Sequence, residues 1–218
     1  MDNFLTKDVF FLPSKSVLSY EVTYAFARLN VTITANPECV DEWLDNVKNK
    51  AVVINKSLCL GLDTEWCLHD RKRRRLAIVQ LCFEDTVLIY QLSHAKVLST
   101  SFVKMLESNE VEFTGVEVNE DLRKLRDDYG VQFKGRTIDT RDLAARTCCD
   151  DRYLKSGLKT LTEQFMGTHL SKDINVTLSN WEKHMLSFEQ IKYAAIDAYV
   201  SYKCKEAILA SHLSIPID

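Results

Sequence analysis

The apolar run Leu58-Cys59-Leu60-Gly61-Leu62 stops at Asp63-Thr64-Glu65, and this junction constrains the fold more than any other stretch of the chain. An apolar run of that length reads as a buried strand, which needs other layers of structure to cover it. Residues i and i+2 of a strand share a face, so the carboxylates of Asp63 and Glu65 leave the strand together. Asp121 follows a second apolar stretch, Val111 to Val118, at a strand-to-helix junction before Leu122. Tyr193 and Asp197 stand four apart in a helical pattern and therefore share one helix face.

The rest of the chain supplies elements to bring these groups together. Val22 to Thr34 alternates loosely and predicts one or two strands. Asn36-Pro37-Glu38 opens a helix running through Asp41 to Val47. Strands are expected over about 51–64, 75–83 and 86–91, joined by a long loop and by a tight Glu84-Asp85 turn. Such a run predicts an antiparallel meander. Helix and strand then alternate: a helix near 100–108, strand 111–118, a helix over 120–128, a short strand at Thr137-Ile138 and a helix from Asp139. Two further helices, about 157–167 and 187–210, complete the chain. The pattern implies an α/β fold, a mixed five- to six-stranded sheet flanked by helices. Residues 1–16 are expected to be an N-terminal arm and 17–218 a single domain, with a catalytic core at about 50–210.

Charge narrows the function. A formal net charge of -3 does not suit a protein that grips long duplexes by electrostatics, so contact with nucleic acid must be local and short. The seven cysteines contain no CxxC pair and read as reduced, mostly packing thiols of an intracellular protein, cytoplasmic or nuclear. Cys67 with His69 is a poor basis for a zinc site. No stretch approaches a membrane span, and Val9-Phe10-Phe11-Leu12 is too short and too acidic in context for a signal peptide.

Four acids and a phenol gathered at one point suit two hard divalent cations, Mg²⁺ or Mn²⁺, which prefer oxygen ligands. Such a pair activates an attacking water and neutralises the leaving oxygen of a phosphodiester. Asp63 is placed to bridge the ions, Glu65 and Asp197 to complete the nucleophile-side ion, and Asp121 to serve the leaving-group side. Tyr193, an ordinary phenol with a pKa near 10, is a poor base at neutral pH and is assigned to positioning the water, with proton abstraction as the alternative where nearby metals lower its pKa.

The segments Gly61-Leu62-Asp63-Thr64-Glu65-Trp66, Leu76 to Cys82, Gly115 to Leu122, Leu170-Ser171-Lys172, Ser179-Asn180-Trp181 and Tyr193 to Tyr199 together resemble the DEDD superfamily of 3′–5′ exonucleases. The likeness is to the tyrosine subclass, nearest the Werner-syndrome-type exonuclease domain and its stand-alone plant members. The histidine subclass carries His five residues before the last Asp, where this chain has Lys192. The resemblance implies a ribonuclease-H-like (DnaQ-like) fold, two-metal hydrolysis and release of nucleoside 5′-monophosphates from a 3′ end. Single-stranded nucleic acid is the expected partner, with short RNA favoured and DNA end processing the alternative. A catalytically silent adaptor would be expected to have lost metal ligands, and none is missing. A homo-oligomer or a nucleic-acid-processing protein partner is compatible with a small domain lacking accessory modules.

Several neighbours join the site as candidate substrate contacts. Thr64 lies between the two acids. Trp66 reads either as core or as a wall beside the terminal nucleotide, with Leu68 and His69 as loop residues nearby. The basic run Arg71 to Arg75 falls in the expected loop and offers Arg73, Arg74 and Arg75 to phosphate, against the alternatives of a solvated face or a nuclear-import signal. Lys172 is a further phosphate candidate, and Trp181 is assigned to packing. Asp139 reads as a helix N-cap and Asp142 as a first-turn acid, so neither is assigned as a ligand.

Overall fold

The computed structural model describes residues 17–69 and 72–213. The N-terminal arm expected at 1–16 lies outside the described residues. Seven strands form one mixed sheet in the order β1-β2-β5-β4-β3-β6-β7. They are β1 (Val17–Tyr24), β2 (Ala27–Thr34), β3 (Cys59–His69), β4 (Lys72–Phe83), β5 (Thr86–Tyr90), β6 (Glu112–Gly115) and β7 (Arg136–Asp139). The helices are α1 (Pro37–Val53), α2 (Thr100–Leu106), α3 (Val118–Tyr129), α4 (Thr140–Cys148), the short α5 (Leu158–Leu161) and α6 (Ile174–Thr177), and the long α7 (Phe188–Leu213).

β3, β4 and β5 form the antiparallel meander that the run of strands predicts. β2 joins β5 in parallel, and β6 joins β3 in parallel, so the meander is flanked by parallel pairings on both sides. The sheet exceeds the expected five to six strands because Val22 to Thr34 folds back as the β1–β2 hairpin and becomes one edge.

Three boundaries differ from expectation, each for a local reason. The strand expected from residue 51 begins only at Cys59, because α1 runs on to Val53. That helix is capped by Asn36, whose side chain accepts from the Glu38 amide at 2.8 Å, and its buried stripe runs Val40, Trp43, Leu44, Val47 to Ala51. The loop expected after residue 64 is instead a long two-stranded extension, with Leu68 paired to Arg73 and His69 to Lys72. Two register shifts, one on each side of Trp66, each leave an extra residue on β4 and add twist there. The strand expected to reach 118 ends at Gly115, because Glu117 takes a left-handed backbone (φ 58) that turns the chain into α3.

The central strands are closed on one side by α7. Its approach is unusually tight at Gly61, where a Cβ would lie 2.3 Å from the Ala198 carbonyl oxygen and 2.6 Å from the Tyr202 nitrogen. Ala194, Ala195 and Ala198 keep that helix face narrow and are fully buried. Glycine on β3 and alanines on α7 thus set the separation between the strand carrying Asp63 and the helix carrying Asp197.

Candidate active site

β6 ends at Gly115, one residue past its Thr114–Gly61 pairing, so Asp63 and Glu65 on the longer β3 lie beyond the carboxyl end of their parallel neighbour, a usual place for a ligand. Asp63 and Glu65 enter the crevice there from β3, and Tyr193 and Asp197 enter from α7. Asp121, in the first turn of α3, comes in beside β3. Ligand oxygens of Asp63, Glu65 and Asp197 lie within 4.8 Å of one another. Asp121 stands beside this trio, tied to the strand by Thr64, whose hydroxyl donates to its Oδ1 at 2.7 Å. The pleat explains the division of labour. Thr64 points away from the two acids that flank it and reaches α3, while they face α7.

So many acids in a water-poor crevice cannot all carry charge comfortably. Desolvation and the neighbouring Asp197 raise the Asp63 carboxyl to about 7. Desolvation, then Asp63 and Asp197, lift Glu65 further, to about 10. Asp121 rises to about 7 through desolvation and Asp63, against the pull of Lys124 and Thr64. Burial also raises Asp197, opposed by Lys172 and by the Tyr193 phenol.

Two lysines supply countercharge. Lys172 forms an ion pair and hydrogen bond with Asp197 Oδ2 and donates to the Tyr193 hydroxyl at 3.3 Å. Lys124 donates to Asp121 Oδ1 at 3.0 Å and lies 3.9 Å over the Trp66 ring. The other carboxylate oxygen of Asp197 is buried without a hydrogen-bond partner. A buried, unpartnered carboxylate oxygen beside two more carboxylates is the donor set a hard divalent cation requires. Asp63, Glu65 and Asp197 thus present a donor set that suits such a cation, while Asp121 lies outside this group of three.

Tyr193 is held from three sides. Its hydroxyl accepts from Thr177 Oγ1 at 3.1 Å as well as from Lys172, and its ring packs 6.0 Å from that of Trp181. Burial and Asp197 push its phenol up to about 12, so it keeps its proton at neutral pH. Trp181 is fully buried, as its assignment to packing requires, and its indole N–H donates to the Thr177 carbonyl at 3.0 Å. It therefore positions the residue that positions Tyr193.

Of the basic run, Arg71 lies outside the described residues, and residues 72–75 belong to β4 rather than to a loop, with Arg73, Arg74 and Arg75 engaged by the protein. Arg73 forms a two-pronged pair with Asp128 at 2.6 and 2.9 Å, and Arg74 pairs with Glu182 at 3.1 Å. Arg75 donates to the Asp128 carbonyl and stacks 4.4 Å over Tyr129. Arg73 and Arg75 bind the C-terminal end of α3, where cations are favoured. Leu68 is an exposed strand residue rather than a loop residue, and His69 ends the same strand. Asp139 caps α4 by accepting from the Arg141 amide at 2.9 Å, as expected.

Three contributors carry little signal in the sequence. Lys124 was legible only as the i+3 neighbour of Asp121 on a helix. Thr177 lies in a four-residue helix with no periodic pattern to mark it. Tyr24, on β1, forms part of a cavity of about 350 Å³ that opens onto Tyr193 and Asp197, with Leu170, Val176 and Lys192 also in its walls.

Comparison with known proteins decides the family. The profile of the 3′–5′ exonuclease family matches residues 31–211. This chain belongs to the 3′–5′ exonuclease family. An Arabidopsis thaliana 3′–5′ exonuclease is 34% identical to this family member over 147 residues, covering 66% of the chain and 50% of the relative. The mouse bifunctional 3′–5′ exonuclease/ATP-dependent helicase WRN is 30% identical over 144 residues, covering 64% of the chain and 10% of the relative. The chain thus spans half the length, or less, of these curated relatives. Among solved structures, NrnC of Brucella melitensis is similar at 22% identity over 70% of this chain and 72% of that one. Its TM-scores are 0.56 for the form with bound Mg²⁺ and 0.57 for the form bound to pGG. That likeness establishes the fold as the ribonuclease-H-like one. Among the described residues no helix is long and apolar enough to cross a membrane.

Proposed function

We propose that this chain is a divalent-metal-dependent 3′–5′ exonuclease of the tyrosine subclass, acting on short single strands and releasing nucleoside 5′-monophosphates. The observation that carries this reading is the cluster of Asp63, Glu65 and Asp197 oxygens within 4.8 Å, with one Asp197 oxygen buried and unpartnered. Asp63, Glu65 and Asp197 would hold one Mg²⁺ or Mn²⁺, and Asp63 with Asp121 a second. When bound, the ions supply an activated water and charge neutralisation at the phosphodiester. The Mg²⁺ in NrnC supports that cofactor, and pGG in the same protein supports a short strand as substrate.

The chain's own groups then have separable tasks. Tyr193, whose phenol burial and Asp197 push up, offers its O–H to orient the incoming water. Thr177 and Lys172 fix its oxygen. Lys172 also faces the side where a phosphate's negative charge would arrive, and Trp66 with Lys124 forms a wall beside Asp121. Arg73, Arg74 and Arg75 act on substrate only at a distance, since each already has a partner within the protein. Residues 17–218 are taken as one catalytic unit. RNA is favoured over DNA as the substrate.

The test is a labelled-oligonucleotide assay with Mg²⁺ or Mn²⁺, comparing single-stranded RNA, single-stranded DNA and strands blocked at either end. Cleavage should stop with EDTA or a 3′ block. Protection by a 5′ block would reverse the polarity, and persistent cleavage by a chain carrying Asp63→Ala and Asp197→Ala would remove the site.

A further inference from the structure

The β1–β2 hairpin lies largely before residue 31, where the family match begins, and its tip adjoins the active-site crevice. Tyr24 and Ala27 pair across the tip, leaving Ala25 and Phe26 as a two-residue turn. Ala25 sits in the left-handed region at φ 51, a conformation unfavourable for a non-glycine residue. The turn presents Phe26 with its side chain wholly exposed (104%). A lone exposed aromatic means little by itself. Here, however, the hairpin end is anchored. Tyr24 Oη lies 3.1 Å from Thr168 Oγ1 and donates to the His169 carbonyl at 3.2 Å, and its ring meets Tyr199 edge-on at 6.3 Å.

Tyr24 divides two neighbouring cavities. One, of about 350 Å³, contains Tyr193 and Asp197. The other, of about 280 Å³, is lined by Phe26, Met166, Thr168 and Tyr199, with Ala25 and Ala27. No charged side chain lines the second cavity, so it is unsuited to a sugar-phosphate backbone. Aromatic rings, a thioether and the uncharged hydroxyls of Tyr24, Thr168 and Tyr199 suit a flat heteroaromatic base, which any single strand can present.

We infer that the second cavity is a base-stacking subsite, in which Phe26 holds the base next to the 3′-terminal nucleotide while that terminal nucleotide occupies the cavity at Tyr193 and Asp197. The inference rests on the exonuclease reading above and deepens it. Hairpin and crevice together set a preference for single strands with at least two stacked-out bases. A duplex end, with its bases already paired and stacked, cannot fill the subsite.

The experiment compares wild type, Phe26→Ala and Phe26→Trp on a one-base substrate, the p-nitrophenyl ester of thymidine 5′-monophosphate, and on single strands of two to ten nucleotides. Loss of one base–aromatic stack corresponds to a roughly 5- to 100-fold rise in KM. That rise should appear in Phe26→Ala on going from the ester to the two-base strand, with kcat little changed, and Phe26→Trp should restore it. An equal KM change on ester and strands, or none, overturns the subsite. A change in oligomeric state by light scattering, without the strand-dependent rise, also overturns it and makes the tip a contact between copies. If wild type cleaves nothing, the exonuclease reading fails, and the hairpin is judged by fluorescence anisotropy of a labelled ten-nucleotide strand. There Phe26→Ala must weaken Kd by the same factor, and an unchanged Kd refutes the proposal.

Discussion

Replacing Gly61 by alanine tests whether the fold places the catalytic acids through one close backbone contact. The added methyl would stand 2.3 Å from the Ala198 carbonyl oxygen, 2.6 Å from the Tyr202 nitrogen and 2.8 Å from the Tyr202 Cβ. All three atoms belong to or adjoin the α7 backbone, so no side-chain rotation relieves the clash. Ordinary contact begins at 3.4 Å. The helix must therefore back away from β3 by about 1 Å, against a close-packed interior that resists the shift. Overpacking of this kind costs about 1–3 kcal/mol. For a chain of this size each kcal/mol lowers the melting temperature by about 2–4 °C. The fold should survive that loss.

The site should not survive it unchanged. Gly61 lies two residues before Asp63 on one face of β3, and Ala198 follows Asp197 on α7. A displacement at this contact separates the Asp63 and Asp197 oxygens directly. A misplacement of about 1 Å typically lowers turnover about 100-fold. We therefore expect Gly61→Ala to melt a few degrees lower yet lose about two orders of magnitude in kcat/KM, measured well below its melting temperature. Gly157→Ala is the control: a Cβ there meets nothing within 4 Å. It should stay within about twofold of wild type. A Gly61→Ala chain that melts lower but keeps its activity would refute the reasoning, because strand–helix spacing would then not set the geometry of the acids.

Thr64→Val removes the hydroxyl that holds Asp121 Oδ1 while keeping the shape of a buried β-branched residue. Loss of such an outer partner costs about 10- to 100-fold in metal affinity or activity, so a Mn²⁺ titration followed by activity should shift to higher concentration. An unshifted titration would mean that Lys124 alone orients Asp121. Away from the site, Asp128 ties β4 to α3 through Arg73 and the Leu76 amide at 2.7 Å. Burial pushes its carboxyl up, but Arg73 and that amide prevail and hold it below the ordinary value. A depressed carboxyl stabilises the fold above its unfolded pKa of about 3.9, and the contribution disappears as pH falls through the lower folded value. Asp128→Asn should cost about 1–3 kcal/mol near pH 7 and flatten the acid limb of a melting-temperature profile. Parallel profiles for mutant and wild type would show that the pair contributes nothing to acid stability.

The four acids and Tyr193 were legible as candidates because each stands where the backbone setting fixes its direction: one face of a strand, a first helical turn, or one helix face. The meander was legible from consecutive apolar runs. What escaped depended on tertiary events. The extension of β3 and β4 to His69 and Lys72 is made by pairing between strands rather than by apolar content, so a polar, arginine-rich run read as a loop. The arginines there read as free cations because their partners Asp128 and Glu182 are distant in sequence. Tyr24 escaped for the same reason, since it meets Thr168 and His169 only through the fold.

The electrostatics of the crevice explain why the same residues can serve both folding and catalysis. Four carboxylates converge where water is scarce, and burying them all as anions would be prohibitive. The chain meets this in two ways. Lys172 and Lys124 pair with Asp197 and Asp121, and all four acids still retain protons more readily than free carboxyls do. Two ammonium groups against four carboxyls leave a deficit of positive charge that neutral side chains cannot fill. Divalent cations remove that deficit and displace the retained protons, which ties metal affinity to pH. The lysines cannot take over that role, because each makes hydrogen bonds to a single acid and neither reaches the unpartnered Asp197 oxygen. Partial countercharge from the two lysines thus leaves an oxygen-only donor set whose chemistry suits hard, doubly charged ions.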